Sequence, residues 1–313
     1  MQGAGITAIG GSVHVLDLGQ PGGPASDEVL IAVKAAGVGN WDDLVRTGQW
    51  NVGATPPMAL GVEAAGVIEA VGDEVTNLAP GDEVMTHPLP LRQQGTWADK
   101  LIAPAVLIAR KPRNASWESA AAFPVPALTA EQVLGETLQV RKGEWVLVHG
   151  AGGVTGGVIV QLAVAKGAVV IATASSASAE RLRRYGAMAV LDHHNAEWPT
   201  KVRELTDSGA GVSAAVNAAR GEAKVALQAV ARGGRLATIT GDPPQTERGI
   251  TAWNVYVRPD GAQLDALAES FAAGQISIHV ATTYPIEDAA VALAAAVSGG
   301  VGGAAVLVMR EST

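Results

Sequence analysis

The segment Val146–Gly157 constrains the fold of this chain more than any other part of the sequence. The apolar run Val146–Val148 predicts a buried strand, Gly150, Gly153 and Gly156 predict a turn, and an apolar helix follows at once. Glycine lets backbone approach a ligand closely, and a helix start offers unpaired N–H groups and a partial positive charge. This arrangement indicates a pyrophosphate-binding loop, although the spacing is Gly-x-x-Gly-x-x-Gly. A glycine-rich turn that binds nothing is the alternative.

Strands and helices alternate strictly around this loop, which indicates a parallel sheet covered on both faces. We predict strands at Trp145–Val148, Val169–Thr173, Ala189–Leu191, Ala214–Val216 and Arg235–Ile239, and helices at Ala127–Leu134, Val158–Lys166, Ala179–Tyr185, Pro199–Thr206 and Ala223–Ala231. The residues before Trp117 instead form short β-rich runs between glycine turns. We interpret that part as an irregular antiparallel barrel.

Composition limits the class of protein. A chain of 313 residues favours two domains, and 48% apolar against 17% charged residues excludes a disordered chain. The net charge of −8 argues against a general nucleic-acid binder and against docking on anionic lipid. Without cysteine there is no disulfide and no thiolate zinc site.

Targeting and membrane signals are not evident in the sequence. The first residues, Met1–Gly11, lack the pattern of a signal peptide, and no apolar stretch reaches the roughly 20 residues of a membrane span. The alanine-rich run Asp288–Val297 predicts a short buried helix. We therefore expect a cytoplasmic protein whose partner is a small-molecule substrate, not nucleic acid or a membrane.

The run Ile171–Ser178, at the end of the second predicted strand, indicates the cofactor. An Asp or Glu there bonds the ribose 2′-hydroxyl of NAD, but this run contains no acidic residue. Ser175 and Ser176 leave room for a 2′-phosphate and can donate hydrogen bonds to it. Arg181 and Arg184 follow on the next helix and can supply positive charge, unless they form only a solvated face. We predict NADPH.

Several further motifs occur in the order of a known family. They are Ala36-Gly37-Val38, Arg46-Thr47-Gly48, Gly61–Gly66, Pro80–Val84, Gly95–Asp99, Leu128-Thr129-Ala130, Gln161-Leu162-Ala163 and Gly186-Ala187. With them the chain resembles the medium-chain dehydrogenase/reductase superfamily, in its zinc-free quinone oxidoreductase-like branch, over nearly its whole length. The resemblance implies a GroES-like irregular β-barrel catalytic domain from residues 1–120 and 258–313. It also implies a Rossmann NADP-binding domain from residues 121–257, an active site in the cleft between the domains, and by family habit a homodimer.

The departures from the family pattern are informative. Zinc-dependent members bind catalytic zinc through a Cys at the position of Gly39 and a His at that of Val62, so we expect no metal site here. Quinone reductases of the branch often have Asn at the first position and Asp three residues later. This chain keeps Asp42 but has its asparagine at Asn40. Trp50 stands near the place of the tyrosine proton donor of enoyl-thioester reductases, a role that Trp cannot fill.

Hydride transfer to a polarised acceptor needs mainly geometry and a dry site, so the proton can come from solvent or a weak donor. Asn40 and Asp42 are the predicted catalytic residues, with loop capping as the alternative. Trp41 and Trp50 are predicted to line the substrate pocket. Because ligands bind at the carboxyl ends of parallel strands, we assign the cofactor to Thr129, Gly152, Gly153, Val154, Thr155, Ser175, Ser176, Arg181, His193, Asn217, Thr240 and Gly241.

Three functions fit these residues. The first is an NADPH-dependent reductase of quinones or activated C=C bonds (enones). The second is a pathway-specific enoyl reductase acting on a polyketide-like intermediate. The third is a non-catalytic, crystallin-like NADPH-binding protein, since Asn is missing at Gly39 and the family's lysine is replaced by Ala304.

Overall fold

The computed structural model describes residues 1–299 and 302–310. The chain forms two compact units: Met1–Val125 together with the described residues from Arg258 onward, and Pro126–Val257. Among the described residues, no helix combines the length and the apolar character needed to cross a membrane.

The N-terminal part of the first unit is mostly β-structure. Its strands are β1 (Gln2–Ile6), β2 (His14–Asp17), β3 (Glu28–Val38), β4 (Met58–Ala59), β5 (Ala64–Val71), β6 (Glu83–Thr86), β7 (Lys100–Pro104) and β8 (Ile108–Arg110), and its helices are α1 (Trp41–Arg46), α2 (Trp117–Ala121) and the 3-10 turn Ala105–Leu107. Helix α2 begins where expected, because the Ser116 hydroxyl accepts a hydrogen bond from the Ser119 N–H.

The second unit alternates strands and helices. After α3 (Pro124–Glu131) and a π-helical turn (Gln132–Thr137) come β9 (Trp145–His149), α4 (Val154–Ala165), β10 (Val169–Ala174), α5 (Ser176–Arg184), β11 (Ala189–Asp192), α6 (Trp198–Leu205), β12 (Val212–Asn217), α7 (Ala223–Leu227), β13 (Val230–Thr238) and β14 (Thr251–Asn254). The strands form one sheet in the order β11-β10-β9-β12-β13-β14, with every pair parallel. This is a Rossmann sheet, and the predicted fold class is confirmed.

The apolar strands of this sheet explain its stability. Leu147, Ile171, Val212 and Leu236 are fully buried in one core cluster. Burying each such side chain contributes roughly 1.5–3 kcal/mol, so continuous apolar strands are stable only when both faces are covered.

The C-terminal part returns to the first unit. It contains α8 (Gly261–Ala272), β15 (Val280–Pro285), the 3-10 turn Ile286–Asp288, α9 (Ala289–Ser298) and β16 (Ala304–Val308). Strand β16 pairs with β3, so the end of the chain completes a 7-stranded sheet in the order β15-β16-β3-β5-β6-β8, with β7 also paired to β3. A 3-stranded sheet, β2-β1-β4, accompanies it.

Two secondary-structure predictions were wrong. The helix expected over Ala223–Ala231 ends at Leu227, because Val230 already pairs with Val212 in the parallel sheet. The run Asp288–Val297 does form a helix, but it is buried on one face only: Ala292 is fully buried, whereas Val291 and Val297 are 58% and 49% exposed. Alanine-rich composition does not tell which face of a helix is covered, so only packing decides this.

Candidate functional site

The glycine loop lies where the strand order of the Rossmann sheet reverses. Strands β9 and β12 are adjacent there, and His149 pairs with Asn217 at their carboxyl ends. Strand β9 is followed by Gly150, whose φ is +81°, a conformation that favours glycine. Ligands of such sheets bind at this reversal.

The loop leaves room for a phosphate group. Gly153 is exposed and immediately precedes α4, and a Cβ added to it would meet only the Gly150 carbonyl oxygen, at 4.0 Å. Gly152 and Val154 are half-buried and Thr155 is buried. The N–H groups at the start of the 12-residue helix α4 therefore meet open space, and these residues fit a pyrophosphate.

Arg181 lies against this loop. Its guanidinium Nη2 donates to the Gly152 carbonyl oxygen at 2.7 Å and to Ser178 Oγ at 3.2 Å. Burial lowers the pKa of Arg181 from its ordinary value, but arginine stays charged in proteins. Ser175, just before α5, makes no side-chain capping bond, and Ser176 is exposed. A positive charge and two hydroxyl-bearing residues thus follow β10.

His193 is exposed beyond the end of β11. Its ring lies 3.9 Å from that of His194 (centroid to centroid), and His194 Nδ1 is 2.9 Å from Asp192 Oδ1. Hydrogen bonds from the backbone and side chain of His194 lower the pKa of Asp192. The ligand atoms of these three residues lie within 4.8 Å of one another, but all three side chains are exposed and already interact among themselves.

The carboxyl ends of β12 and β13 carry a hydrogen-bonded network. Asn217 is completely buried, and its Nδ2 donates to Thr238 Oγ1 at 3.0 Å and Thr240 Oγ1 at 3.1 Å. Thr240 is half-buried and Gly241 exposed. The network closes on Asp242, a residue that sequence reasoning missed although it directly follows two predicted contacts.

Two other predicted or overlooked residues lie in this unit. Thr129, in α3, is 6% exposed. His149 was not predicted: its Nδ1 lies 2.6 Å from Thr173 Oγ1, and its ring stacks on Trp198 with centroids 4.5 Å apart. Burial and nearby His193 lower the pKa of His149 to about 4, so it is neutral at pH 7. A histidine inside an apolar strand was the available signal.

The first unit holds the predicted catalytic residues. Asn40 is exposed immediately before α1, whereas Asp42 is completely buried. Asp42 Oδ2 accepts a hydrogen bond from the Gly39 N–H at 2.8 Å, and its Oδ1 has no partner among the described residues. Burial raises the pKa of Asp42 to about 8, so the carboxyl is mostly protonated at neutral pH. The geometry makes Asp42 a residue that holds the loop.

The positions of the family's metal ligands offer no donor. The Trp41 ring covers Gly39 so closely that an added Cβ would lie 2.1 Å from Trp41 Cε2. Val62 is fully buried and apolar. Trp41 and Trp50 are both half-buried. A catalytic zinc ion does not fit these residues.

Glu63 and His87 complete this buried region. Glu63 Oε2 accepts from the Val125 N–H at 2.8 Å, and burial together with the charge of nearby Asp42 holds the pKa of Glu63 well above its usual range. The nearness of Glu63 requires glycine at Gly37, where a Cβ would stand 2.3 Å from Oε1. His87 Nδ1 donates to the Val62 carbonyl oxygen at 2.7 Å, and burial lowers its pKa to about 4.

Two protein families and several known proteins are similar to this chain. The alcohol dehydrogenase GroES-like domain family matches residues 25–113, and the zinc-binding dehydrogenase family matches residues 185–307. The chain is 32% identical over 219 residues to a quinone oxidoreductase of Mus musculus, covering 69% of this chain and 65% of that protein. It is 35% identical over 236 residues to the pikromycin polyketide synthase component PikAII of Streptomyces venezuelae, covering 74% of this chain and 6% of that protein.

A solved structure matches over the full length. The crystal structure of an NAD-dependent alcohol dehydrogenase superposes with a TM-score of 0.89 at 30% identity, covering 99% of this chain and 100% of that chain. The chain spans less than two thirds of the length of the curated relatives it matches.

Proposed function

Because the chain belongs to the medium-chain dehydrogenase/reductase superfamily, in its quinone oxidoreductase-like branch, we propose that it is an NADPH-dependent reductase. It transfers hydride to a quinone or to the activated C=C bond of an enone, and it does so without a metal.

The choice of NADPH rests on Arg181, whose side chain is hydrogen-bonded to the glycine loop. It rests also on the run Ile171–Ser178 at the end of β10, which contains no acidic residue. The two hydrogen bonds to Gly152 and Ser178 use one nitrogen, Nη2, whereas a guanidinium has five N–H donors. The remaining donors suit a 2′-phosphate, since arginine binds phosphate through several parallel hydrogen bonds. An acidic residue at Ser175 would repel that phosphate.

The chain's own residues have separate tasks in this proposal. The loop Gly152–Thr155 and the start of α4 hold the pyrophosphate, and Ser175, Ser176, Arg181 and His193 face the adenosine ribose. Thr129, Asn217, Thr240 and Gly241 are the proposed contacts nearer the nicotinamide. When bound, NADPH supplies the hydride.

On the substrate side, the exposed Asn40 amide can donate a hydrogen bond to a carbonyl oxygen, which polarises it. Buried Asp42 holds the Asn40 loop through Gly39, and Trp41 and Trp50 give the pocket its aromatic walls. A quinone or enone is already polarised, so solvent can deliver the proton and no Lewis acid is required. The missing ligand atoms at Gly39 and Val62 support metal-independent chemistry.

The acceptor remains the open choice within this proposal. Similarity to a quinone oxidoreductase favours a quinone, and similarity to a polyketide synthase component favours a polyketide-like intermediate. The non-catalytic alternative predicts NADPH binding without turnover. A homodimer and a cytoplasmic location stay predictions.

The deciding experiment follows the absorbance of NADPH and of NADH separately, with untagged protein, quinones, small enones and an enoyl thioester, with and without chelator. We expect NADPH oxidation well ahead of NADH oxidation and no effect of the chelator. Preference for NADH, or loss of activity with chelator, would contradict the proposal. Tight NADPH binding with no turnover of any acceptor would favour the non-catalytic alternative.

A further inference from the structure

We propose that Asp242 is a positioning residue that makes the Thr240 hydroxyl a hydrogen-bond acceptor for the carboxamide amino group of a bound nicotinamide. The inference rests on the proposed function, because it assumes that a nicotinamide cofactor binds to the second unit.

The Asp242 carboxylate joins two neighbouring loops. Its Oδ1 lies 2.6 Å from Thr238 Oγ1 and 2.5 Å from Thr240 Oγ1, and its Oδ2 accepts from the Ala223 N–H at 3.2 Å. Thr238 ends β13 and Thr240 follows it, whereas Ala223 begins α7 after β12. One carboxylate therefore fixes the chain after both strands, at the carboxyl edge of the sheet.

The hydrogen positions in this network follow from counting donors. A threonine hydroxyl has one hydrogen to donate and two lone pairs. Because a carboxylate only accepts, Thr238 and Thr240 each direct their hydrogen at Asp242. The 3.0 Å contact between the two hydroxyl oxygens then carries no hydrogen. Asn217 Nδ2 has two hydrogens for four acceptors within 3.4 Å, which are the Ala219 carbonyl oxygen, Thr238 Oγ1, Thr240 Oγ1 and Asp242 Oδ1. It therefore occupies at most one Thr240 lone pair and leaves the other for an incoming donor.

The ionised state of Asp242 keeps this orientation. Partial burial raises the pKa of Asp242, but hydrogen bonds from Thr238, Thr240 and the Ala223 N–H outweigh it and hold the pKa below its ordinary value. The carboxylate is charged at neutral pH, so the hydroxyl of Thr240 does not reverse.

Thr240 is also the accessible member of the network. Asn217 and Thr238 are completely buried, whereas Thr240 is half-buried and is followed by exposed Gly241 with a φ of +80°. A side chain at Gly241 would be strained and would stand 3.6 Å from Tyr256 Oη. The backbone that follows Thr240 is thus exposed, at the edge where ligands of parallel sheets bind.

With the Thr240 hydroxyl as hydrogen-bond acceptor, a ligand that carries a donor opposite it binds more tightly than one without. The nicotinamide carboxamide has an NH₂ group, but the 3-acetylpyridine analogue of the cofactor replaces it with a methyl group that donates nothing. One hydrogen bond contributes about 1 kcal/mol, which corresponds to a roughly fivefold difference in affinity. Wild-type protein should bind NADPH about fivefold more tightly than the reduced 3-acetylpyridine analogue.

The test measures dissociation constants of both compounds by protein fluorescence, without any acceptor substrate. We compare wild type with Asp242→Ala, which removes both side-chain oxygens, and with Thr240→Val, Thr240→Ser and the control Glu204→Gln, which neutralises an exposed carboxylate paired with Lys201. Asp242→Ala and Thr240→Val should lose the fivefold preference, and Thr240→Ser and Glu204→Gln should keep it.

The outcomes separate the two proposals. Wild type that does not bind NADPH refutes the proposed function. Wild type that binds NADPH without preferring it over the analogue, or Thr240→Val that keeps the full preference, overturns the inference alone. If circular dichroism shows that Asp242→Ala does not fold, the comparison of Thr240→Val with Thr240→Ser decides, because these variants leave the carboxylate in place.

Discussion

Asp42 in the first unit and Asp242 in the second have the same side chain, but their pKa values are shifted in opposite directions. Asp42 is completely buried with one hydrogen bond, from the Gly39 N–H, and burial raises its pKa to about 8. Asp242 is partly buried, and its hydrogen bonds from Thr238 and Thr240 lower its pKa despite that burial. The difference shows that the depth of burial and the number of donors around a carboxyl together decide whether it carries a proton or a charge.

The same contrast separates the two regions as a whole. In the first unit, burial raises the pKa of Asp42 to about 8 and that of Glu63 above its usual range, and it lowers the pKa of His87 to about 4, so it favours the uncharged form of all three groups. At the carboxyl edge of the Rossmann sheet, Arg181 and Asp242 are charged and held by named partners. A charged edge suits an ionic cofactor, and an uncharged region suits a quinone or an enone.

The largest expected effect is on stability at alkaline pH. Asp42 has a folded pKa above its unfolded value, so the stability it contributes is complete below about pH 4 and is lost as pH rises toward 8. Between pH 6.5 and 8 the free energy of unfolding should fall by about 1.4 kcal/mol per pH unit for this group. Asp42→Asn, measured by urea unfolding, should remove that part of the slope.

The lower limit of pH 6.5 matters for this measurement. His87 and His149 have lowered pKa values of about 4, so they make the protein less stable as pH falls from 6.5 toward 4, which opposes the effect of the acids. Asp43→Asn is the matched control, since Asp43 is half-buried and paired with Arg46. An Asp42→Asn slope equal to that of wild type would refute the protonated state of Asp42.

Arg181→Ala tests the charged edge. Hydrogen bonds to a charged group contribute roughly 1.5–3 kcal/mol, so NADPH affinity should fall about ten- to hundredfold while NADH affinity changes much less. The control is Arg184→Ala, because Arg184 lies on the same helix but is exposed and near Glu180. Equal losses for both cofactors would show that Arg181 only supports the loop.

Asp242→Asn should destabilise the protein, whereas Asp42→Asn should stabilise it at pH 8. Asparagine keeps one side-chain oxygen, so its amide nitrogen leaves either the two threonine hydroxyls or the Ala223 N–H without an acceptor. We therefore expect a loss of about 1–3 kcal/mol in unfolding free energy. Thermal unfolding at pH 8 measures both variants side by side. If both substitutions stabilised the protein, the two carboxyls would not differ in protonation state as inferred.

The smallest effect is expected from Ser116→Ala, which touches neither region. Loss of the cap of α2 costs about 1 kcal/mol. Cofactor affinity and the pH slope should not change. A change in either property would indicate that the two regions respond to any loss of stability, which would weaken the conclusions from the other variants.

Much of the fold was predictable because its signals are local. The glycine loop after β9, the alternation of strands and helices, and the Ser116 cap depend on residues next to each other in the chain. The family motifs made the GroES-like part of the fold predictable as well. The end of the helix at Leu227 was not predictable, since Val230 joins the sheet through its pairing with Val212.

The site residues likewise include some that local sequence predicts and others that depend on partners distant in the chain. Arg181 meets the glycine loop as expected for a residue on the helix after the second strand, but its bond to Gly152 spans 29 positions. Asp242 and Glu63 were not recognised as organising residues, because their partners lie at a distance in sequence: Asn217 for the first and Val125 for the second.

By itself the sequence determined the two-part architecture, the glycine loop after β9 and the absence of metal-ligating side chains at Gly39 and Val62, since each depends on residue type and short-range spacing. Only the tertiary structure decided which carboxyls are charged. Protonation depends on the solvent, donors and charges around a group, and those are assembled by segments that meet only when the chain folds.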